Sequence, residues 1–352
     1  MLTHLSAPIE VGFELLPYCN LRCSHCYSQA GPDQPRDGLS LRRIEGVFDE
    51  LVSLQVFKIY VGGGEPFARR DIVEVVRLAA ERSLVTTIST NGALLTEKGI
   101  DALRPVAPAL IQVSLDGACA RTHDRIRGVG SFAKAIRALQ LLVQAGLRTA
   151  IGTVACQDNY REIANILRLS LNLGVRIFHL MGLQPAGRAL FCFDDQRLTD
   201  EQWLDLYQFF SHQSAALSKR IDLNIEIDKF VLFKHGLLTP PNHLDTFAKM
   251  WCTCPCGKTL CTITSSGDVL PCELMRDVVA GNVLRQSLRE IWNRSAVFAA
   301  IRRRCLGITA CNECDFWDYC QGGCAAITHT LTGKFTEADP RCELAKSRHF
   351  PI

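Results

Sequence analysis

The stretch Val11-Gly-Phe-Glu-Leu-Leu-Pro-Tyr-Cys19-Asn-Leu-Arg-Cys23-Ser-His-Cys26 decides how the chain is read. A short apolar run suited to a β-strand leads at once into a C-x3-C-x2-C loop. A loop this tight directs three thiolates at one metal centre. An iron–sulfur cube takes thiolate ligands on its irons, so three cysteines leave one iron open for a cofactor or substrate. Zinc completed by His25 is the other reading, because tetrahedral zinc accepts a Cys3His set, although zinc motifs usually come as two separated pairs.

Outward from this loop, composition narrows the classes. A chain of 352 residues suggests about two domains. With 47% hydrophobic and 21% charged residues it has material for a core, which excludes disordered and collagen-like chains. No apolar run approaches the roughly 18 residues of a membrane span, and the first residues lack a signal-peptide pattern, so a cytoplasmic protein is expected. A net charge of +3, from 39 basic and 36 acidic residues, argues against a nucleic-acid partner. The 17 cysteines stand out. Without a secretion signal they read as metal or redox groups, and an odd number fits full disulfide pairing poorly. Three sit in the opening loop, eleven lie between Cys252 and Cys342, and only Cys119, Cys156 and Cys192 fall between.

The body predicts strands at 11–16, 58–61, 85–89, 110–115, 149–155 and 176–181, each a short β-branched or apolar run with a turn signal after it. Helical periodicity is expected at 41–54, 71–82, 96–103, 132–145 and 160–172, with Gly146 as a C-terminal cap. Six strand–helix repeats imply an α/β fold with a parallel sheet and right-handed crossovers. Polar motifs follow the strands: Gly62-Gly-Gly-Glu65-Pro66, Ser89-Thr-Asn91-Gly92, Ser114-Leu-Asp116-Gly117 and Pro185-Ala-Gly187-Arg188. In a (β/α) barrel such strand ends converge on one mouth. Further on, Thr199-Asp-Glu-Gln202 reads as a capping box opening a helix to about Leu217, and 222–226 alternates like a strand. A linker is expected at 237–243, around Pro240 and Pro241. Arg302-Arg-Arg304 reads as cations placed at a helix C-terminus.

With these motifs the body resembles the radical S-adenosylmethionine (SAM) enzymes, through Cys19, Cys23 and Cys26 with His25 and through Gly63-Gly64-Glu65-Pro66. The resemblance implies a partial (β/α)6 barrel and a [4Fe–4S] cluster whose open iron binds SAM. Reduction of SAM would release a 5′-deoxyadenosyl radical that abstracts a substrate hydrogen. It also implies that Gly63, Gly64, Glu65 and Pro66 line the cofactor, with Glu65 receiving the SAM amino group. Ser89 and Asn91 would face the ribose, Ser114 would join them at the mouth, and Arg127 would meet the SAM carboxylate.

The tail has the pattern Cys311-x2-Cys314-x5-Cys320-x3-Cys324, then Cys342, with Cys254, Cys256, Cys261 and Gly267-x4-Cys272 upstream. Read from ligand type alone, all-thiolate sites suit zinc and iron–sulfur clusters equally. The spacing resembles the SPASM domain, which implies two auxiliary [4Fe–4S] clusters and three clusters in all. Carried over, the first auxiliary set is Cys254, Cys261, Cys272 and Cys324, with Cys256 as the alternative to Cys254 and Cys252 as a third candidate. The second set is Cys311, Cys314, Cys320 and Cys342. The domains expected are the SAM core at 8–190, a bridging segment at 191–250 and the SPASM domain at 251–352.

Among such proteins the motifs most resemble maturases of the mycofactocin type, which oxidise, decarboxylate or cross-link a ribosomally made precursor peptide. That implies a precursor peptide as substrate and a flavodoxin- or ferredoxin-type electron donor. With 18 residues before Cys19, it also implies a separate peptide-delivery protein or direct binding to the barrel. Alternatives are a sulfatase-maturating type that makes formylglycine, with Glu273 after Cys272 as the base, and a small-molecule radical SAM dehydrogenase. A non-enzymatic zinc-binding interaction protein leaves the strand-end motifs unexplained. Glu273 also reads as a carboxylate beside a cluster with no catalytic role.

Overall fold

The computed structural model describes residues 4–238 and 253–347. Six strands, β1 (Glu10–Leu16), β2 (Lys58–Gly63), β3 (Val85–Thr90), β4 (Leu110–Ser114), β5 (Thr149–Ala155) and β6 (Ile177–Gly182), lie side by side in chain order, all parallel. Helices α1 (Leu41–Ser53), α2 (Ile72–Glu81), α3 (Glu97–Leu103), α4 (Ala120–Arg127), α5 (Ser131–Gln144) and α6 (Ile163–Asn172) connect them. The expected repeats are therefore present within a residue or two, except that α6 begins three residues later than expected. Helix α4 is the addition. It is mostly polar and has no apolar stripe to read, yet Thr122, His123, Ile126 and Arg127 are buried on it.

Strand alternation divides the sheet into two faces. Val11, Phe13, Leu15, Ile59, Val61, Ile88, Ile111, Val113, Ile151, Phe178 and Leu180 face the helices and form one core with Ile44, Phe48, Val75, Leu139 and Ile166. The opposite parity carries Glu10, Glu14, Tyr60, Ser89, Gln112, Ser114, Gly152 and His179, a polar face. Side chains on alternate strands meet across it: Gln112 Nε2 donates to the Tyr60 hydroxyl at 3.4 Å, and His179 Nδ1 lies 3.2 Å from Gln112 Oε1. This is the lumen of an open barrel.

The sheet does not stop at six strands. The alternating run at 222–226 forms β7 (Asp222–Ile225), parallel to β6. From the cysteine-rich tail, β8 (Leu260–Ile263) pairs parallel with β1, followed by antiparallel β9 (Asp268–Leu270) and β10 (Gly281–Asn282). Both barrel edges, which would expose unpaired backbone groups, are thus covered, and the tail shares one ten-stranded sheet with the body. The Thr199–Gln202 capping box opens the helix Asp200–Leu217 as expected. The expected linker at 237–243 lies outside the described residues from 239 onward, as does Cys252.

The arginine run ends a helix as expected. Arg302 and Arg303 stand in the last turn of Ala296–Arg303 and Arg304 follows it, yet Arg302 and Arg304 are only 7% and 5% exposed. Arg302 Nε donates to the Gly257 carbonyl at 2.6 Å, and Arg304 is aimed at the loop after Cys320. Besides their place at the helix end, these tail contacts hold them.

Candidate functional site

The opening cysteine loop sits at the carboxyl end of β1, and three neighbours hold it. Gly64 N donates to Leu16 O at 2.7 Å and Glu65 N to Tyr18 O at 2.8 Å, which seats the Gly-Gly-Glu-Pro turn on the loop's first residues. A Cβ on Gly64 would lie 1.9 Å from Tyr18 O, so only glycine permits this approach. Ser24 N donates to Ile126 O at the end of α4. Arg188 closes the loop from the other side, its guanidinium donating to Cys23 O at 2.8 Å and Ala30 O at 2.7 Å.

Donors surround the three sulfurs. Leu21 N and Asn91 Nδ2 donate to Cys19 Sγ at 3.4 and 3.6 Å, Arg127 Nη1 to Cys23 Sγ at 3.9 Å, and Ser28 Oγ lies 3.4 Å from Cys26 Sγ. Burial pushes the Cys19 thiol up to about 12, against the Leu21 hydrogen bond, and Glu65, Cys23 and Cys26 add to the rise. Burial likewise raises Cys23, opposed by Arg127. A loop whose three sulfurs are ringed by donors, with Cys19 and Cys23 held protonated by burial, fits a bound cationic cluster core, whose binding drives off those protons.

The other predicted positions divide. Glu65 is buried, and its carboxylate accepts from Thr90 Oγ1 at 2.6 Å, Phe67 N at 3.1 Å and Asn91 N at 2.9 Å, joining the turn to the end of β3. Burial raises its pKa against those three hydrogen bonds. Pro66 opens the short helical turn after it. Asn91 is also tied to Asn20 Oδ1, Ser89 hydrogen-bonds Tyr60 in the lumen, and Ser114 stands on the lumen face at the end of β4. Arg127 was expected at the SAM carboxylate. Its Nε meets Asp116 Oδ2 at 2.5 Å, beside Cys23. Asp116, fully buried, also holds His25 Nε2 at 2.7 Å and accepts from Val154 N. Burial works against its charge, but Arg127 and His25 keep its carboxyl well below the usual range. Asp116 and Arg188 were quoted as parts of strand-end motifs without a role. Their partners lie 11 to 165 residues away, beyond any local pattern.

In the tail, Cys254 is hydrogen-bonded to Cys256 and Cys324, and Cys256 also faces Cys272. These four share one apolar cluster with Met275, Ile301, Ala325 and Phe335. Cys261 is elsewhere. It lies on β8 in register with Val11, on the helix-facing side, and joins the main core. Strand parity thus turns Cys261 away from the set in which it was expected and places Cys256 there. Cys311, Cys314, Cys320 and Cys342 converge as expected, lining a cavity with Phe230, Phe233, Phe316 and Trp317. Burial and the three neighbouring thiols push Cys311 up to about 11. Both tail sets offer four soft thiols in a dry apolar cradle, which fits a closed cluster.

Between the opening loop and the Cys254 set lies an acidic end of the lumen. Glu273 is half-buried, and burial, with Glu14 and Glu10 adding and Arg276 opposing, pushes it up to about 7. Arg276 pairs with Glu14, and Tyr27, next to Cys26, faces Glu273 and Glu14. His179 Nε2 meets Glu226 Oε1 at 2.9 Å. From the ends of β6 and β7 a cavity of about 1060 Å³ runs past Gln184, Glu226 and Arg341 to Tyr319 and Cys342. No helix among the described residues is long and apolar enough to cross a membrane.

Known proteins match this arrangement. The model of the radical SAM superfamily matches residues 13–170, and that of SPASM, an iron–sulfur cluster-binding domain, matches 252–315. The chain is 32% identical over 362 residues to mycofactocin maturase MftC of Mycobacterium tuberculosis, covering 99% of this chain and 88% of that one. It is 29% identical to AdoMet-dependent heme synthase of Methanosarcina barkeri, covering 97% and 98%. Streptococcus suis SuiB, solved bound to the precursor peptide SuiA, superposes with a TM-score of 0.83 at 19% identity, over 97% of this chain and 77% of that one.

Proposed function

The chain belongs to the radical SAM enzymes that carry a SPASM domain, and from that premise we propose that it matures a ribosomally synthesised peptide. Two relatives support the substrate class: one named a mycofactocin maturase, and a fold neighbour solved with its precursor peptide. The observation that carries the reading is the identity of 32% to a mycofactocin maturase across 99% of this chain, body and tail alike.

Cys19, Cys23 and Cys26 would hold the cluster that binds SAM. When bound, cluster and SAM supply a carbon-centred radical for hydrogen abstraction. The chain's own residues do the positioning. Arg188 fixes the loop, Asp116 orients His25 and Arg127, and Glu65 locks the Gly-Gly-Glu-Pro turn to β3. In the tail we assign Cys254, Cys256, Cys272 and Cys324 to one auxiliary cluster and Cys311, Cys314, Cys320 and Cys342 to the other, three clusters in all. Glu273 stands at the lumen end beside Cys272, placed to take a proton from substrate. The domain limits follow as 8–190, 191–250 and 251–352. A flavodoxin- or ferredoxin-type donor would supply electrons in the cytoplasm, and a separate delivery protein would present the peptide.

Anaerobic purification should give about twelve irons per chain, four for each of three cubes. Incubated with SAM, a reductant and a precursor peptide encoded beside its gene, the protein should form 5′-deoxyadenosine and change the peptide's mass. The size of the peptide's mass loss, two hydrogens or a carbon dioxide, separates dehydrogenation from decarboxylation. Turnover of a porphyrin or another small molecule with no change in any peptide would sink the peptide reading.

A further inference from the structure

Three consecutive backbone carbonyls in the tail converge on one buried guanidinium. They belong to Gln321, Gly322 and Gly323, the residues that separate Cys320 of one auxiliary set from Cys324 of the other. This short bridge is the tightest covalent link between the two sets. All three residues take positive φ, at 47°, 79° and 81°. A Cβ on Gly322 would come 2.3 Å from Ile308, and one on Gly323 2.4 Å from Asp339. Gln321 holds the left-handed conformation despite its side chain, a local strain that the surroundings must offset.

Arg304 is the guanidinium. It donates to Gln321 O and Gly323 O at 3.1 Å and to Gly322 O at 3.3 Å. It also reaches Phe335 O at 3.0 Å, and Thr328 Oγ1 and Glu337 O at 3.4 Å. All six acceptors are uncharged, and among the described residues Arg304 makes no ion pair. Asp339, which packs against Gly323, is engaged by Arg341 and by Cys324 N. A buried cation without a counter-ion is costly. The bridge that its guanidinium holds ends on Cys320 and Cys324, one thiol of each set. Lys258 braces the same bridge, donating to Gln321 Oε1 at 2.7 Å and Thr253 Oγ1 at 3.0 Å.

We propose that Arg304 is the shared counter-cation of the two auxiliary sites, holding the Cys320–Cys324 bridge and raising both reduction potentials together. This rests on the reading that both tail sets carry [4Fe–4S] clusters. Cluster potentials follow net charge, hydrogen bonding and burial. A fixed cation in a low-dielectric interior favours the more negative, reduced form, and one cation on the bridge acts on both clusters.

The test uses the full chain with Cys19, Cys23 and Cys26 changed to alanine, so that remaining iron belongs to the tail. Redox titrations followed by electron paramagnetic resonance compare this parent with added Arg304→Met and Arg304→Lys. The methionine variant should shift both midpoint potentials to more negative values, and lysine, which keeps the charge, should stay closer to the parent. Full iron in the methionine variant with only one potential moved, or neither, overturns the proposal. If the methionine variant loses its iron, the lysine variant decides. Retained iron at near-parental potentials supports the shared charge, and loss there too overturns it and leaves Arg304 a structural anchor. A parent without iron would sink the two-cluster reading itself.

Discussion

Cys256 and Cys261 show how one strand residue separates a proposed ligand from a core side chain. Both fit a cysteine-spacing pattern, but Cys261 lies on β8 with its thiol among Val11 and the other helix-facing residues. Cys256→Ala should therefore lose about four irons per chain, one cube, whereas Cys261→Ala should keep its iron and lose about 1 kcal/mol of stability through a small cavity. Iron and labile-sulfide analysis beside thermal unfolding separates the two. Asp116 is the other position where one atom decides. Asp116→Asn leaves Arg127 buried without its partner, which costs about 3–5 kcal/mol, and should lower the unfolding midpoint and weaken iron retention at the opening loop. Because the folded carboxyl is held below its ordinary range despite burial, its contribution is complete above the unfolded pKa. The gap between wild type and variant should thus stay flat at neutral pH and narrow only below about pH 4, where the unfolded carboxyl takes up its proton. A gap that narrowed near pH 7 would contradict this.

At the scale of elements, the strands and most helices of the barrel were legible because period-2 and period-3.6 apolar patterns report burial directly. Helix α4 was not. Its buried face is mostly polar, with Ile126 its one large apolar residue, and it holds the cysteine loop through hydrogen bonds, so no hydrophobic period marks it. The pairing of β7 with β6 and of β8 with β1 was equally hidden, since strand partners far apart in sequence leave no local trace. The turn Gly187–Cys192 makes a testable contribution as an element, because Arg188 at its start clasps the cysteine loop with a planar fork. Arg188→Lys keeps the charge but not the fork. It should lower iron at the opening site while leaving the two tail clusters at full occupancy, as electron paramagnetic resonance of each cluster would report.

Across the whole molecule, the barrel and tail differ in what holds them. The barrel has one continuous apolar core that does not include Cys19, Cys23 or Cys26. Most of the tail has only small clusters, and each of the three contains proposed ligands: Cys254, Cys256, Cys272 and Cys324 in one, Cys320 and Cys342 in another, Cys311 and Cys314 in the third. Where binding and folding share the same side chains, removing the metal removes the fold. Stripping iron with a chelator should make the tail sensitive to limited proteolysis while the barrel survives as a resistant fragment. Equal resistance of both parts would show that the tail packs without its clusters.

The amino-acid sequence by itself determined the α/β repeat, the three-cysteine loop after the first strand, the tail's cysteine spacing and so the family. These are local patterns, in which residue type and interval carry the physics directly. Only the tertiary structure decided that Cys256 stands with Cys254, Cys272 and Cys324 while Cys261 does not, that Arg127 is held by Asp116, and that Arg304 is buried between two cysteine sets. Each of those outcomes depends on which face of a strand a side chain takes, or on groups brought together from distant parts of the chain, and spacing carries neither.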